Sequence, residues 1–238
     1  MKKVLVLFLC VVLIVSVVSC ATEKTELSGN TGAELKFNYS AINAHGAPFP
    51  SAKSLLEAAD VVFLGKVVGI DFQVLNEKTA LPATKETPKE DQVLYTMYKI
   101  EPISTYRGDS AELLQVRVQG GLCDDLIEQQ LKVIDPWESF YSTNKDGSEG
   151  LVLPYWQNHQ TVRCHVGESY LFVLRQFETG APTILQINQS IYPLNTPTEA
   201  VHPADISVQN IIKEFGEDKW NDFYARWEKG EFEPISVE

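Results

Sequence analysis

The stretch that decides the fold is "ADVVFLGKVVGIDFQVL", residues 59–75. It is rich in β-branched and aromatic residues, the side chains that suit a pleated strand. Val61, Phe63 and Val67 fall on one face of an extended chain, and Val62, Leu64, Val68 and Ile70 on the other. Gly65 and Gly69 interrupt the run. Glycine inside a strand marks a bulge or a close backbone approach, so a long, coiled strand of the kind barrels need is predicted here.

The flanks extend the pattern. Upstream, Ser54-x-x-Glu57 reads as a capping box opening a short helix with Leu55, Leu56 and Ala59. Downstream, "NEKTALPATKETPKEDQ" (76–92) is a polar loop, followed by "VLYTMYKIEPISTYRGD", with Leu94, Thr96, Tyr98 and Ile100 on one strand face. In "ELLQVRVQGG", Leu114, Val116 and Val118 alternate with Gln115 and Arg117. "DDLIEQQLKVI" predicts a short helix starting at Asp124 or Asp125. "ESYLFVLRQFE" and "PTILQINQSIYPL" complete five strands. Near the C-terminus the period changes to that of a helix. Val208, Ile211, Ile212 and Phe215 precede Gly216, and Trp220, Phe223, Tyr224 and Trp227 precede Gly230, which predicts two amphipathic helices with glycine stops. The fold class expected is mainly β, a five-stranded OB-like barrel with short helices and a C-terminal helical segment.

The segments "ADVVFLGKV", "YTMYKIEPISTYRGD", "VRVQGG" and "VGESYLFVL" resemble bacterial secreted domains of the netrin-like type. These are similar to the inhibitory domain of tissue inhibitors of metalloproteinases, and the resemblance covers roughly residues 54–192. It implies an OB-type barrel. Inhibition in that family uses a free N-terminal Cys amine packed on the barrel edge. Here the corresponding Cys20 is expected to carry lipid and to stand about 30 residues away, so metalloprotease inhibition is not carried over. The insertion 124–163 departs from the compact family pattern.

The chain opens with Lys2 and Lys3, then a nearly unbroken apolar run from Val4 to Val18, then Ser19-Cys20. A basic start, a short apolar core and a small residue describe a secretory signal peptide. The run is short for a spanning helix, which needs about 20 residues. Val17-Val18-Ser19-Cys20 resembles the lipobox of bacterial lipoproteins, which implies cleavage between Ser19 and Cys20 and a diacylglyceryl thioether on Cys20. A chance cysteine behind an ordinary leader is the alternative. Two or more acyl chains give stable anchoring, at about 0.8 kcal/mol per buried methylene. The domain boundaries expected are 1–19 leader, 20–50 lipid-anchored tether, 51–195 barrel and 196–238 C-terminal helices packed on it. The tether is polar and without period; as a flexible coil it would reach roughly 30 Å from the membrane.

Loss of Lys2 and Lys3 with the leader takes the formal charge from −12 to −14. Such a chain repels nucleic acid and anionic head groups. Cys123 and Cys164 remain as an even pair in an oxidising location, and a disulfide between them is expected. It would close a loop of about 40 residues, worth about 3–4 kcal/mol. Two buried free thiols are the alternative.

Motifs for chemistry are sparse. The chain holds His45, His159, His165 and His202 but no HExxH and no zinc-finger spacing. "NHQTVRCHVGE" would need a further ligand to hold a metal, and "STNKDGSEG" lacks the first and twelfth ligands of a calcium loop, so Asp146-Gly147 reads as a turn. No GxSxG or Ser-x-x-Lys is present. No metal or other cofactor is expected. Tyr155 and Trp156, in "LPYWQNHQ", are read as loop aromatics, either a recognition surface or a plug over a barrel end. The stripe Trp220, Phe223, Tyr224 and Trp227 reads as packing on its own domain.

The function expected is that of a membrane-anchored, extracytoplasmic lipoprotein acting as a binding module for a protein or peptide, through loops 76–92 and 137–163. An envelope hydrolase without a recognisable motif, and a protease-inhibitor-like protein, are the alternatives.

Overall fold

A computed structural model of the chain describes residues 37–42, 47–109, 114–122, 126–143, 147, 149–156, 163–186, 188–194 and 206–232, with 37–42 and 156 defined by their backbone. Its elements in chain order are β1 (Phe37–Ile42), α1 (Ala52–Glu57), β2 (Val61–Asn76), β3 (Gln92–Arg107), β4 (Leu114–Gln119), α2 (Ile127–Ile134), β5 (Tyr141–Thr143), β6 (Glu149–Trp156), β7 (Ser169–Arg175), β8 (Thr183–Ile184), β9 (Ile191–Pro193), α3 (Val208–Lys213) and α4 (Glu217–Glu228). The molecule is mainly β, as expected.

The long strand is present as β2. It pairs antiparallel with β3 along its length and with β7 over Val61–Lys66. The sheet order β2-β3-β4-β8-β7, with β2 also paired to β7, closes the sheet on itself. Both glycines act as predicted. A Cβ on Gly65 would meet Ile100 Cγ2 at 2.4 Å, so β2 and β3 approach there as only glycine allows. The register shifts between Val67 and Gly69, leaving Val68 as the extra residue. This corrects the predicted faces: past the bulge Ile70 turns to the side of Phe63 and Val67, and Val68 is exposed.

Inside the closed sheet, Phe63, Val67, Tyr98, Ile100, Val116, Val118 and Phe172 form one core, with the Phe63 and Phe172 rings stacked at 5.0 Å. The predicted β3 face of Leu94, Thr96, Tyr98 and Ile100 is buried throughout. Its one polar member, Thr96, donates its hydroxyl to the Gly120 carbonyl at 2.7 Å.

The other face of β2 and β7 is covered by helices. Val62, Leu64, Leu171 and Val173 pack against Leu55 and Leu56 of α1, Ile211 and Ile212 of α3, and Trp220 and Phe223 of α4. The C-terminal stripe therefore packs on its own domain. The Trp227 indole N–H adds a bond to the Leu194 carbonyl at 2.7 Å. Gly230 takes a positive φ of 73° just past α4, the predicted stop.

Three local expectations are corrected. The N-cap of α1 is Ser51, not Ser54; the two serines complete the capping box between themselves. Helix α2 starts at Ile127 behind Leu126, which has a φ of 64°, and no side chain caps it. The predicted fifth strand is split into β8 and β9, which lie along the same β7 strand, opposite Leu174–Arg175 and Tyr170–Phe172. Ser190 causes the break: its hydroxyl accepts the Leu185 and Gln186 N–H groups at 2.9 and 3.0 Å and bends the chain between them.

The insertion and the tether hold the largest surprise. Strand β5 pairs antiparallel with β6, and β1 pairs parallel with β6 from Phe37↔Leu151 to Ile42↔Trp156. Part of the predicted structureless tether is thus a strand, and part of the predicted loop 137–163 is a sheet. The Gly121 N–H bonds the Pro154 carbonyl at 2.8 Å, joining this small sheet to the large one. Leu131 and Ile134 of α2, with Phe140, Leu151 and Leu153, fill the space against Phe72, Val74 and Leu94.

Candidate functional site

On the outer face of the closed sheet, register places Met97 of β3 opposite Arg117 of β4. Leu75, Tyr95 and Met97 form a small buried cluster there, with Val93 and Ala181 packed against it. Arg117 is only 5% exposed. Its backbone is held by β8: the Arg117 N–H bonds the Pro182 carbonyl at 3.0 Å, and the Thr183 hydroxyl donates to the Arg117 carbonyl at 2.9 Å. The guanidinium itself rests against aromatic rings. Its Cζ lies 5.6 Å from the centre of Tyr95 and 5.5 Å from that of Phe177. Phe177 is 45% exposed, and the Arg175 guanidinium sits 5.6 Å from the same ring.

Two loops brace the Phe177 end of this ladder, whose other members, Tyr95, Arg117 and Arg175, stand on β3, β4 and β7. The first follows β2. Asn76 Oδ1 accepts the Lys78 N–H at 2.9 Å, and Ala80 adopts a left-handed φ of 59°. The second follows β7. The Gln176 N–H bonds Asp60 Oδ2 at 3.0 Å, and its side-chain amide donates to the Phe177 carbonyl at 2.9 Å. The loops meet where the Thr179 hydroxyl donates to the Thr79 carbonyl at 2.5 Å. A Cβ on Gly180 would meet the Ala80 carbonyl at 2.7 Å. Phe177 is therefore presented on a braced turn.

The electrostatics of Arg117 are unusual. Among the described residues its guanidinium has no ion pair, and its Nε is sealed from solvent without a hydrogen-bond partner. Buried charges are ordinarily paired. Desolvation lowers the Arg117 pKa, and Tyr95 works in the opposite direction. Burial also raises the Tyr95 phenol, against the pull of Arg117, while the Glu77 carboxylate raises it further. The cation–π contacts compensate part of the lost hydration, at about 0.5–2 kcal/mol each.

Beside the ladder a cleft of about 330 Å³ opens between β2 and α2, lined by Asp71, Gln73, Met97, Gln115 and Gln129. Asp71 is paired with Lys99 at 2.5 Å. Among the described residues no three His, Cys, Asp or Glu side chains gather in a metal-binding group.

The residues singled out in the sequence do not converge here. Ser19, Cys20 and Cys123 lie outside the described residues, as do His45, His159 and His202. Cys164 is a fully buried free thiol whose pKa burial raises well above the ordinary value. Tyr155 and Trp156 are strand residues of β6, not loop aromatics, and Tyr155 is half-buried. His165 is exposed beside the turn before β7. Its N–H bonds the Tyr170 hydroxyl at 3.0 Å, and that hydroxyl donates to Glu168. Loop 76–92 does contribute, through Asn76–Ala80. The sequence signal for the ladder was Arg117 itself, a cation alternating with valines in a strand.

No protein-family model matches this chain, and no curated protein matches it significantly.

Proposed function

We propose that this protein is an extracytoplasmic lipoprotein, held at the membrane by acyl chains on Cys20, whose folded part is an OB-type barrel acting as a binding module. The observation carrying the binding role is the Tyr95–Arg117–Phe177–Arg175 ladder, a surface built and braced yet open at Phe177. Aromatic and arginine side chains dominate the energetics of recognition surfaces. The strand order supports the barrel type. The ring runs first, second, third, fifth, fourth and back to the first, and its third and fifth strands meet in parallel. The leader "KKVLVLFLCVVLIVSVVSC" supports the anchor.

The test is crosslinked capture from native membranes with the full chain as bait, compared with Phe177→Ala. One protein or peptide enriched by the first and lost in the second is the expected result. Equal capture by both baits would refute the ladder as the contact surface. Metabolic labelling with an alkynyl fatty acid tests the anchor: label is expected in the parent chain and absent from Cys20→Ser.

A further inference from the structure

Arg117 is a buried cation without an anion. The residue is 5% exposed, Nε lies sealed without an acceptor, and no ion pair reaches the side chain among the described residues. The Glu77 carboxylate is felt by Tyr95 and makes no ion pair with the guanidinium. A guanidinium is more weakly hydrated than the ammonium of a lysine, and its planar fork matches a planar anion.

The surroundings narrow the anion further. Phe177 stands half in solvent directly over the guanidinium, with Arg175 on the same ring. A ligand touching Arg117 therefore also touches an aromatic ring. The chain as a whole carries −12, a field that opposes multiply charged ligands more than singly charged ones.

Resting on the binding role of the ladder, we propose that Arg117 receives a single carboxylate borne on an apolar or aromatic group, such as a small aromatic acid. The carboxylate meets the guanidinium, and the apolar group packs on Phe177. Arg175, at the rim, adds attraction without fixing geometry.

Benzoate, acetate and inorganic phosphate are the probes, titrated at constant ionic strength into the full-length chain. The side-chain Nε–H resonance of Arg117, identified by its loss in Arg117→Lys, is followed by NMR. Benzoate is expected to give a saturable shift, with acetate at least fivefold weaker and phosphate weaker than benzoate. Phe177→Ala, at an exposed position, is expected to weaken benzoate at least fivefold while leaving the circular dichroism spectrum unchanged. No saturable shift with any probe would overturn the proposal, as would phosphate binding more tightly than benzoate or a Phe177→Ala titration equal to the parent's. Membrane capture lost in Phe177→Ala without any benzoate response would remove the carboxylate and leave the binding module standing.

Discussion

Gly121→Ala tests how α2 is fixed to the sheet. Gln130 is fully buried, and its side chain makes a two-way clamp on Leu122: Oε1 accepts the Leu122 N–H at 2.8 Å, and Nε2 donates to the Leu122 carbonyl at 3.0 Å. A Cβ on Gly121 would stand 2.1 Å from that Oε1, and 3.2 Å from Leu153 Cδ1 and Leu94 Cδ2. Gln130 must swing away, and both bonds go with it. Two such bonds contribute about 1–3 kcal/mol net. Crowding of the two leucines adds about 1 kcal/mol, and the stiffer unfolded chain offsets ~0.4–1 kcal/mol. The expected loss is about 1–3.6 kcal/mol, at about 2–4 °C of Tm per kcal/mol for this size. In a Gln130→Ala background the clamp is already gone, so the same substitution should cost about 1 kcal/mol or less, a coupling of the size seen between contacting residues. Urea unfolding of the four chains, followed by tryptophan fluorescence, measures it. Equal costs in both backgrounds would refute the clamp.

Phe223→Ala empties a site where the ring is 2% exposed and stacks on Phe232 at 5.4 Å; it should cost about 3–5 kcal/mol in the same assay, and a loss under 1 kcal/mol would mean that α4 does not pack as described. Burial raises the phenols of Tyr98, Tyr106, Tyr170 and Tyr192 above 10, that of Tyr106 to about 12. The unfolded chain then releases these protons first, so stability is full below pH 10 and falls as pH rises from 10 through 12. Absorbance at 295 nm should show a tyrosine fraction that ionises only with unfolding; full titration near pH 10 in the folded protein would contradict this. In a Cys123→Ser chain, Cys164 should react with a maleimide only after denaturation, because it is fully buried and its thiolate is disfavoured. Labelling at the rate of an exposed thiol would refute its burial.

Periodicity made the large elements legible. Alternation located β2, β3, β4 and β7, glycine marked the close approach and the bulge in β2, and the helical repeat with its stops located α3 and α4. Features set by single hydrogen bonds or by distant partners were not legible. Nothing local tells Ser51 from Ser54 as the cap, since either hydroxyl is competent and the choice follows where Leu55 and Leu56 meet the core. The polar stretch holding Phe37–Ile42 becomes a strand because β6 offers it an edge more than a hundred residues later. The ladder was hidden for the same reason. Arg117 and Phe177 are 60 residues apart, and only closure of the sheet through β8 brings them together.

That closure is thin. β8 contributes two residues, and its contact with β4 is the single pair Arg117↔Thr183. Such a short seam is expected to part first under thermal agitation, long before the paired stretch of β2 and β3. Amide deuteration should therefore run faster at Arg117, whose N–H crosses the seam to the Pro182 carbonyl, than along the paired stretch of β2 and β3. Any molecule seated on that side chain would behave as a latch, slowing deuterium uptake along the whole seam.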